Sequence, residues 1–170
     1  HVRILVQFDQ PNNIPAIRYE IKNGVTTELE NLGEVNMADG QTLTEFLLWA
    51  KTKELDQSNN LMLILSDHGN GWDQGNGPSP SQTSIRSLFV DEDNNTGSIP
   101  VLHNHLVRNA IEESNISIDI LGLGASIMGT IEAIYEFSDL ADIIISSQEV
   151  GYPQGWNYED ILNKLSVNEN

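Results

Sequence analysis

Three apolar runs constrain this chain more than anything else in it: LMLIL at 61–65, IDILGL at 118–123 and DIIIS at 142–146. None keeps the strict alternation of a half-exposed strand, and such runs suit strands covered on both faces, as in parallel sheets. Residues 42–55 place Leu43, Phe46, Leu47 and Ala50 at i, i+3, i+4 and i+7, with Thr42 and Glu45 as a capping box. A second helix is predicted from about residue 99, with Ser98 as its cap and Pro100 in its first turn, and a third over 127–138. Residues 2–8 and 16–22 read as strands joined by the polar turn DQPNNIP, and RSLFV at 86–90 as another strand. Apolar strands alternating with helices predict an α/β fold around a mostly parallel sheet. At 170 residues the chain is expected to form one domain, 1–170, with a single core.

Composition removes several functions. Eight basic residues against 25 acidic ones give a net charge of −17, which repels nucleic acid and anionic lipid. The acids are scattered, so solubility is their simplest role, with cationic partners or calcium as alternatives. No run of about 18 apolar residues is present, so no membrane-spanning segment is predicted. There is no cysteine, hence no disulfide, no thiolate metal site and no thiol nucleophile.

Ligands of open α/β sheets bind beyond the carboxyl ends of the strands. LMLIL runs into SDHGNGW, which puts His68 just past a buried strand, and IDILGL runs into GAS, which puts Ser126 at the end of another. With a helix predicted to begin at 127, Ser126 would sit at a helix N-terminus, whose free N–H groups suit a nucleophile or an oxyanion. A histidine facing a small nucleophile across such an edge is the geometry of acyl transfer. The plainer alternative is close strand–helix packing at Gly124, Ala125 and Ser126, with Ser126 as an N-cap and His68 as a loop histidine bonded to backbone. GLGASIMG matches neither the dinucleotide-binding glycine spacing nor the G-x-S-x-G elbow, because Met128 stands where the second glycine belongs.

NMADGQTLTEFLLWA (36–50), LMLILSDHGNGW (61–72), IDILGLGASIMGTIEAIYE (118–136) and ADIIISSQEVGYPQGWNYEDIL (141–162) together resemble, in order, the motifs of the clostripain-like cysteine peptidases of the caspase-like clan. The resemblance implies a caspase-like α/β sandwich, its mostly parallel sheet covered by helices on both faces. It also implies a strand and helix before residue 1 in the parent chain. His68 matches the catalytic histidine, and Gly69 would supply an oxyanion N–H. Ser126 falls where the family has its nucleophilic cysteine. Gly124 falls where it has the aspartate associated with preference for Arg or Lys. Trp72, Gln148, Glu149 and Trp156 are the expected substrate-binding residues, with core-packing loop aromatics as the equal alternative for the two tryptophans.

With nucleophile and specificity acid both changed, the resemblance implies an inactive pseudopeptidase that keeps a groove for a peptide or protein partner. Its rival is an active endopeptidase cleaving after Arg or Lys, either with its cysteine replaced by Ser126 or as a weak serine variant. No cofactor is expected apart from calcium. DEDNNTG (91–97) spaces oxygens at Asp91, Asp93 and Asn95, and the family includes calcium-dependent members, but the glycine comes late and no closing Glu follows. A plain turn is the favoured reading there. The resemblance further implies a secreted or cell-envelope bacterial protein, with other segments of a longer chain as potential partners.

Overall fold

The computed structural model describes residues 2–10, 12, 14–53, 60–67, 69, 89–90, 100–151 and 155–167. The chain divides into two compact units, residues 36–155 on the one hand and 1–35 with 156–170 on the other.

In the second of these, strands β1 (Arg3–Gln10), β2 (Ile14–Lys22) and β3 (Val25–Gly33) form an antiparallel sheet in sequence order. Lys22 pairs with Val25 across Asn23 and Gly24, whose φ values are 52° and 74°. Two adjacent positive φ angles are what a type I′ hairpin requires, and Asn-Gly meets that demand with little strain. Arg18 on the central strand is only 7% exposed. Its guanidinium donates to Gln7 Oε1 at 2.9 Å and to Glu30 Oε2 at 3.0 Å, so the buried charge is held by both neighbouring strands.

The larger unit begins with α1 (Gly40–Lys51). Its cap is Asp39, whose carboxylate accepts from the Gln41 N–H at 2.9 Å, and not the predicted Thr42–Glu45 box. Asp39 satisfies the free amides one turn earlier, which leaves Thr42 inside the helix. Next in order come β4 (Met62–Ser66), then β5 (Phe89–Val90) and β6 (Val101–Leu102) as a separate antiparallel pair, then α2 (Asn104–Ser114), and then β7 (Ile118–Gly124), which lies beside β4 in the parallel sheet. The helix predicted from residue 99 therefore starts later. Val101 and Leu102 pair with Val90 and Phe89 instead, and His103 stands at the N-cap.

After α3 (Ile131–Phe137), β8 (Ala141–Ser146) completes the order β4-β7-β8, all parallel. The last helix, α4 (Tyr158–Val167), belongs with the antiparallel unit. Leu63, Leu65, Leu121 and Leu123 of the sheet share one core with Leu47, Val107, Ile111 and Phe137 of the helices. A fully buried aliphatic side chain contributes about 1.5–3 kcal/mol, so this cluster dominates the unit's stability. The expected burial of the 142–146 strand is corrected: Ile143 and Ile145 are 53% and 44% exposed, because β8 lies at an edge among the described strands.

Two polar anchors fix the frame. Asp119, an acid inside a buried strand, accepts the Leu61 N–H with Oδ2 at 2.5 Å while its own N–H donates to Leu61 O, locking the entrances of β4 and β7. Arg108 of α2 forms a two-pronged bond to Asp139 at 2.6 and 2.8 Å and donates to Glu136 O at 2.7 Å, tying α2 to the end of α3. Among the described residues no helix is long and apolar enough to cross a membrane.

Candidate active site

The carboxyl ends of β4 and β7 lie side by side, with Ser66 opposite Gly124 in the last paired rung. Both strands break their pairing there, so the residues that follow emerge together at one edge of the sheet. Gly69, three residues past β4, has φ +68°, a left-handed conformation that favours glycine. A Cβ placed on it would lie 2.5 Å from Ala125 Cβ, 2.7 Å from Ser126 O and 2.8 Å from Ser126 N. Only a residue without a side chain lets these two backbones meet. His68, Trp72, Asp91, Asp93 and Asn95 lie outside the described residues. Among those described, no group of three or more potential metal ligands occurs.

Ser126 does not stand at a helix N-terminus. The predicted helix over 127–138 begins only at Ile131, capped by Thr130, whose Oγ1 accepts the Ala133 N–H at 3.4 Å. Residues 126–129 form turns instead, and the reason lies in non-local bonds. The Ile127 N–H is donated to Glu149 O at 3.1 Å and the Gly129 N–H to Ser147 O at 2.7 Å. Ile127 is held at φ +60°, a conformation that costs a β-branched residue about 1–3 kcal/mol and persists only where surroundings impose it. The hydroxyl of Ser126 accepts the Gly151 N–H at 3.0 Å.

Gln148 and Glu149 are exposed, and Glu149 meets the 126–129 turn through its backbone carbonyl. Gly155 also comes near the sheet edge, since a Cβ there would lie 3.9 Å from Ser66 Oγ. Trp156 belongs to the antiparallel unit, where its ring lies 6.4 Å from that of Tyr158. Gly124, Gly69 and Ser126 are thus gathered at one sheet edge. Gly129, Ser147 and Gly151 were not singled out in the sequence. Their contribution is made by backbone groups, which leave no side-chain signature.

Residues 1–170 match the model of the Clostripain family, peptidase C11, over their whole length. The chain belongs to the clostripain family. Clostripain of Hathewaya histolytica is 25% identical over 141 residues, which is 79% of this chain and 26% of that protein. A solved structure of a secreted C11 cysteine protease from Bacteroides thetaiotaomicron, in complex with an irreversible peptide inhibitor, superposes with TM-score 0.76 at 19% identity. It is covered over 44% of its length by 99% of this chain. A second structure of a secreted C11 cysteine protease from the same organism gives TM-score 0.69 at 17% identity, covering 96% of this chain and 46% of its own. The chain therefore spans about a quarter of the curated relative and just under half of the solved structures. The fold is the caspase-like α/β arrangement of this family, with its mostly parallel sheet.

Proposed function

We propose that this clostripain-family domain is catalytically silent and binds a peptide or a protein segment along the carboxyl edge of its parallel sheet. The observation that carries this reading is the pair of residues at the site: Gly124 presents no carboxylate, and Ser126 presents a hydroxyl already bonded to an amide. A thiol is partly ionised near neutral pH and attacks unaided, whereas a hydroxyl needs a base oriented by a third group. The surrounding edge is closely built, down to the Gly69–Ser126 approach that demands glycine. A closely built edge around a muted nucleophile favours recognition over cleavage. The peptide inhibitor held by the Bacteroides relative supports a peptide as the class of ligand.

His68 and the Gly69 N–H are proposed to face Ser126 as inherited groups, and Gln148, Glu149 and Trp72 to contact the peptide. Secretion is proposed because the solved relatives are secreted proteins. Calcium at Asp91, Asp93 and Asn95 remains a lesser proposal.

The test is retention of peptides from a random library on immobilised protein. A defined subset should be retained, and Gly69→Val, which thrusts a side chain into the Ala125–Ser126 backbone, should lose it while the circular dichroism spectrum persists. No retention by the native protein, or equal retention by a folded Gly69→Val, would overturn the reading.

A further inference from the structure

Past β8 the chain doubles back along the nucleophile turn. The Ser147 hydroxyl donates to Glu149 O at 3.0 Å and accepts the Glu149 N–H at 3.1 Å, closing a local turn. From there the chain runs antiparallel to residues 126–129. Gly129 N–H meets Ser147 O at 2.7 Å, Ile127 N–H meets Glu149 O at 3.1 Å, and Gly151 N–H meets Ser126 Oγ at 3.0 Å. The spacing is that of a short ladder, but its last rung ends on a side chain. Gly129 is required for it, because a Cβ there would lie 2.8–2.9 Å from the Ser147–Gln148 peptide. The left-handed Ile127 is the mark of a turn whose shape is imposed from outside.

We propose that residues 147–151 are a strap that positions the side chain at 126, and that the Gly151 N–H is the donor that stabilises negative charge there. The inference rests on position 126 being the nucleophile position, as in the reading above. It does not depend on whether the native protein cleaves or only binds. Because α3 starts only at Ile131, its N-terminus does not serve position 126, and no other helix begins there among the described residues. The amide hydrogen-bonded to its side chain is that of Gly151, fixed by the rungs behind it. In this chain the amide holds a neutral hydroxyl and the bond clasps the strap. Facing a thiol, the same amide would bond the thiolate more strongly than the thiol and lower its pKa. Gly151 is thus a positioning residue acting through its backbone.

Two measurements test this. Amide exchange followed by NMR should show the Gly151 N–H protected in the native protein. Its protection should fall roughly tenfold in Ser126→Ala, while Ile127 and Gly129 keep theirs. In Ser126→Cys, the pH dependence of alkylation by iodoacetamide should give a thiol pKa below the ordinary value of about 8.5. Adding Gly151→Ala should leave that pKa in place, since the new Cβ lies 3.7 Å from Ser126 Oγ, an ordinary contact. Adding Gly151→Pro, which deletes the N–H, should raise it by about one pH unit. Equal thiol pKa values in the alanine and proline variants would overturn the proposal. So would an unchanged Gly151 exchange rate in Ser126→Ala, and that comparison decides alone if the proline variant does not fold. Loss of peptide retention with both results intact would instead count only against the proposed function.

Discussion

Ser66 and Gly124 face each other across the last rung of β4 and β7, and Gly69 and Ser126 follow them off the sheet within three residues. Parallel pairing alone makes this convergence: two strands that run the same way must deliver their following loops to the same edge. The backbone of one loop then rests on the backbone of the other at Gly69 and Ser126.

Gly69 and Gly24 separate the two reasons a chain needs glycine. Both have positive φ, +68° and +74°, but an added Cβ finds nothing within 4 Å at Gly24 and backbone at under 3.0 Å at Gly69. Gly24→Ala should cost about 1–2 kcal/mol from left-handed strain alone. Gly69→Ala should cost at least about 2 kcal/mol more, roughly 4–8 °C in melting temperature for a chain of this size. Differential scanning calorimetry of the two variants checks the order, and equal losses would show that Gly69 is not packed against Ser126.

The Arg108–Asp139 tie predicts an acid limb. The hydrogen bond from Arg108 holds the Asp139 carboxyl down at about 2, against an ordinary value of 3.8, with desolvation opposing and the Arg108 charge assisting. A carboxyl whose folded pKa is depressed contributes stability that is fully present above about pH 4. That contribution fades as pH falls from there through about 2. Asp139 is 66% exposed, so the contribution is modest and weakened by salt. Urea unfolding should show Asp139→Asn less stable than the native protein at pH 7, the two converging by pH 2. A gap that widens on acidification would contradict the assignment.

Most of the parallel unit was legible in the sequence, because unalternated apolar runs leave few options for LMLIL and IDILGL. Strand β3 is not among the expected strands, yet its signal is local: Asn23-Gly24 is the residue pair a two-residue hairpin favours, and it announces the strand after it. The helix starts at 99 and 127 failed for another reason. Pro100 and Ile127 both sit in plausible helical patterns, but strand pairing at Val101–Leu102 and carbonyls from 147–149 take up their neighbourhoods. Such competition comes from residues far along the chain, and local periodicity carries no trace of it. The clasp on Ser126 was hidden likewise, since its donor is a peptide N–H that every residue except proline possesses.

The proposed assignment of Ser126 to the nucleophile position and Gly124 to the specificity position predicts the effect of replacing both. Ser126→Cys should gain a reactive thiol, made acidic by the Gly151 amide and not by a helix end. Adding Gly124→Asp should then favour Arg over Leu at the cleavage site by roughly 10- to 150-fold, the worth of a charge-assisted pair of about 1.5–3 kcal/mol. Matched Arg and Leu reporters should be compared at low and high salt, because the net charge of −17 attracts cations non-specifically and salt removes that part. No Arg-over-Leu gain at high salt would mean that Gly124 does not occupy the specificity position.

Turnover by the unaltered protein is the most direct test of the central claim. A mixture of Arg-, Lys- and Leu-containing peptides, incubated with the native chain and read by mass spectrometry, should come back uncut at the rate of a protein-free control. Peptides retained by the protein should be recovered with both ends intact. New termini that accumulate with time, and vanish when either His68→Ala or Ser126→Ala is used in its place, would contradict the claim and identify Ser126 as a working nucleophile.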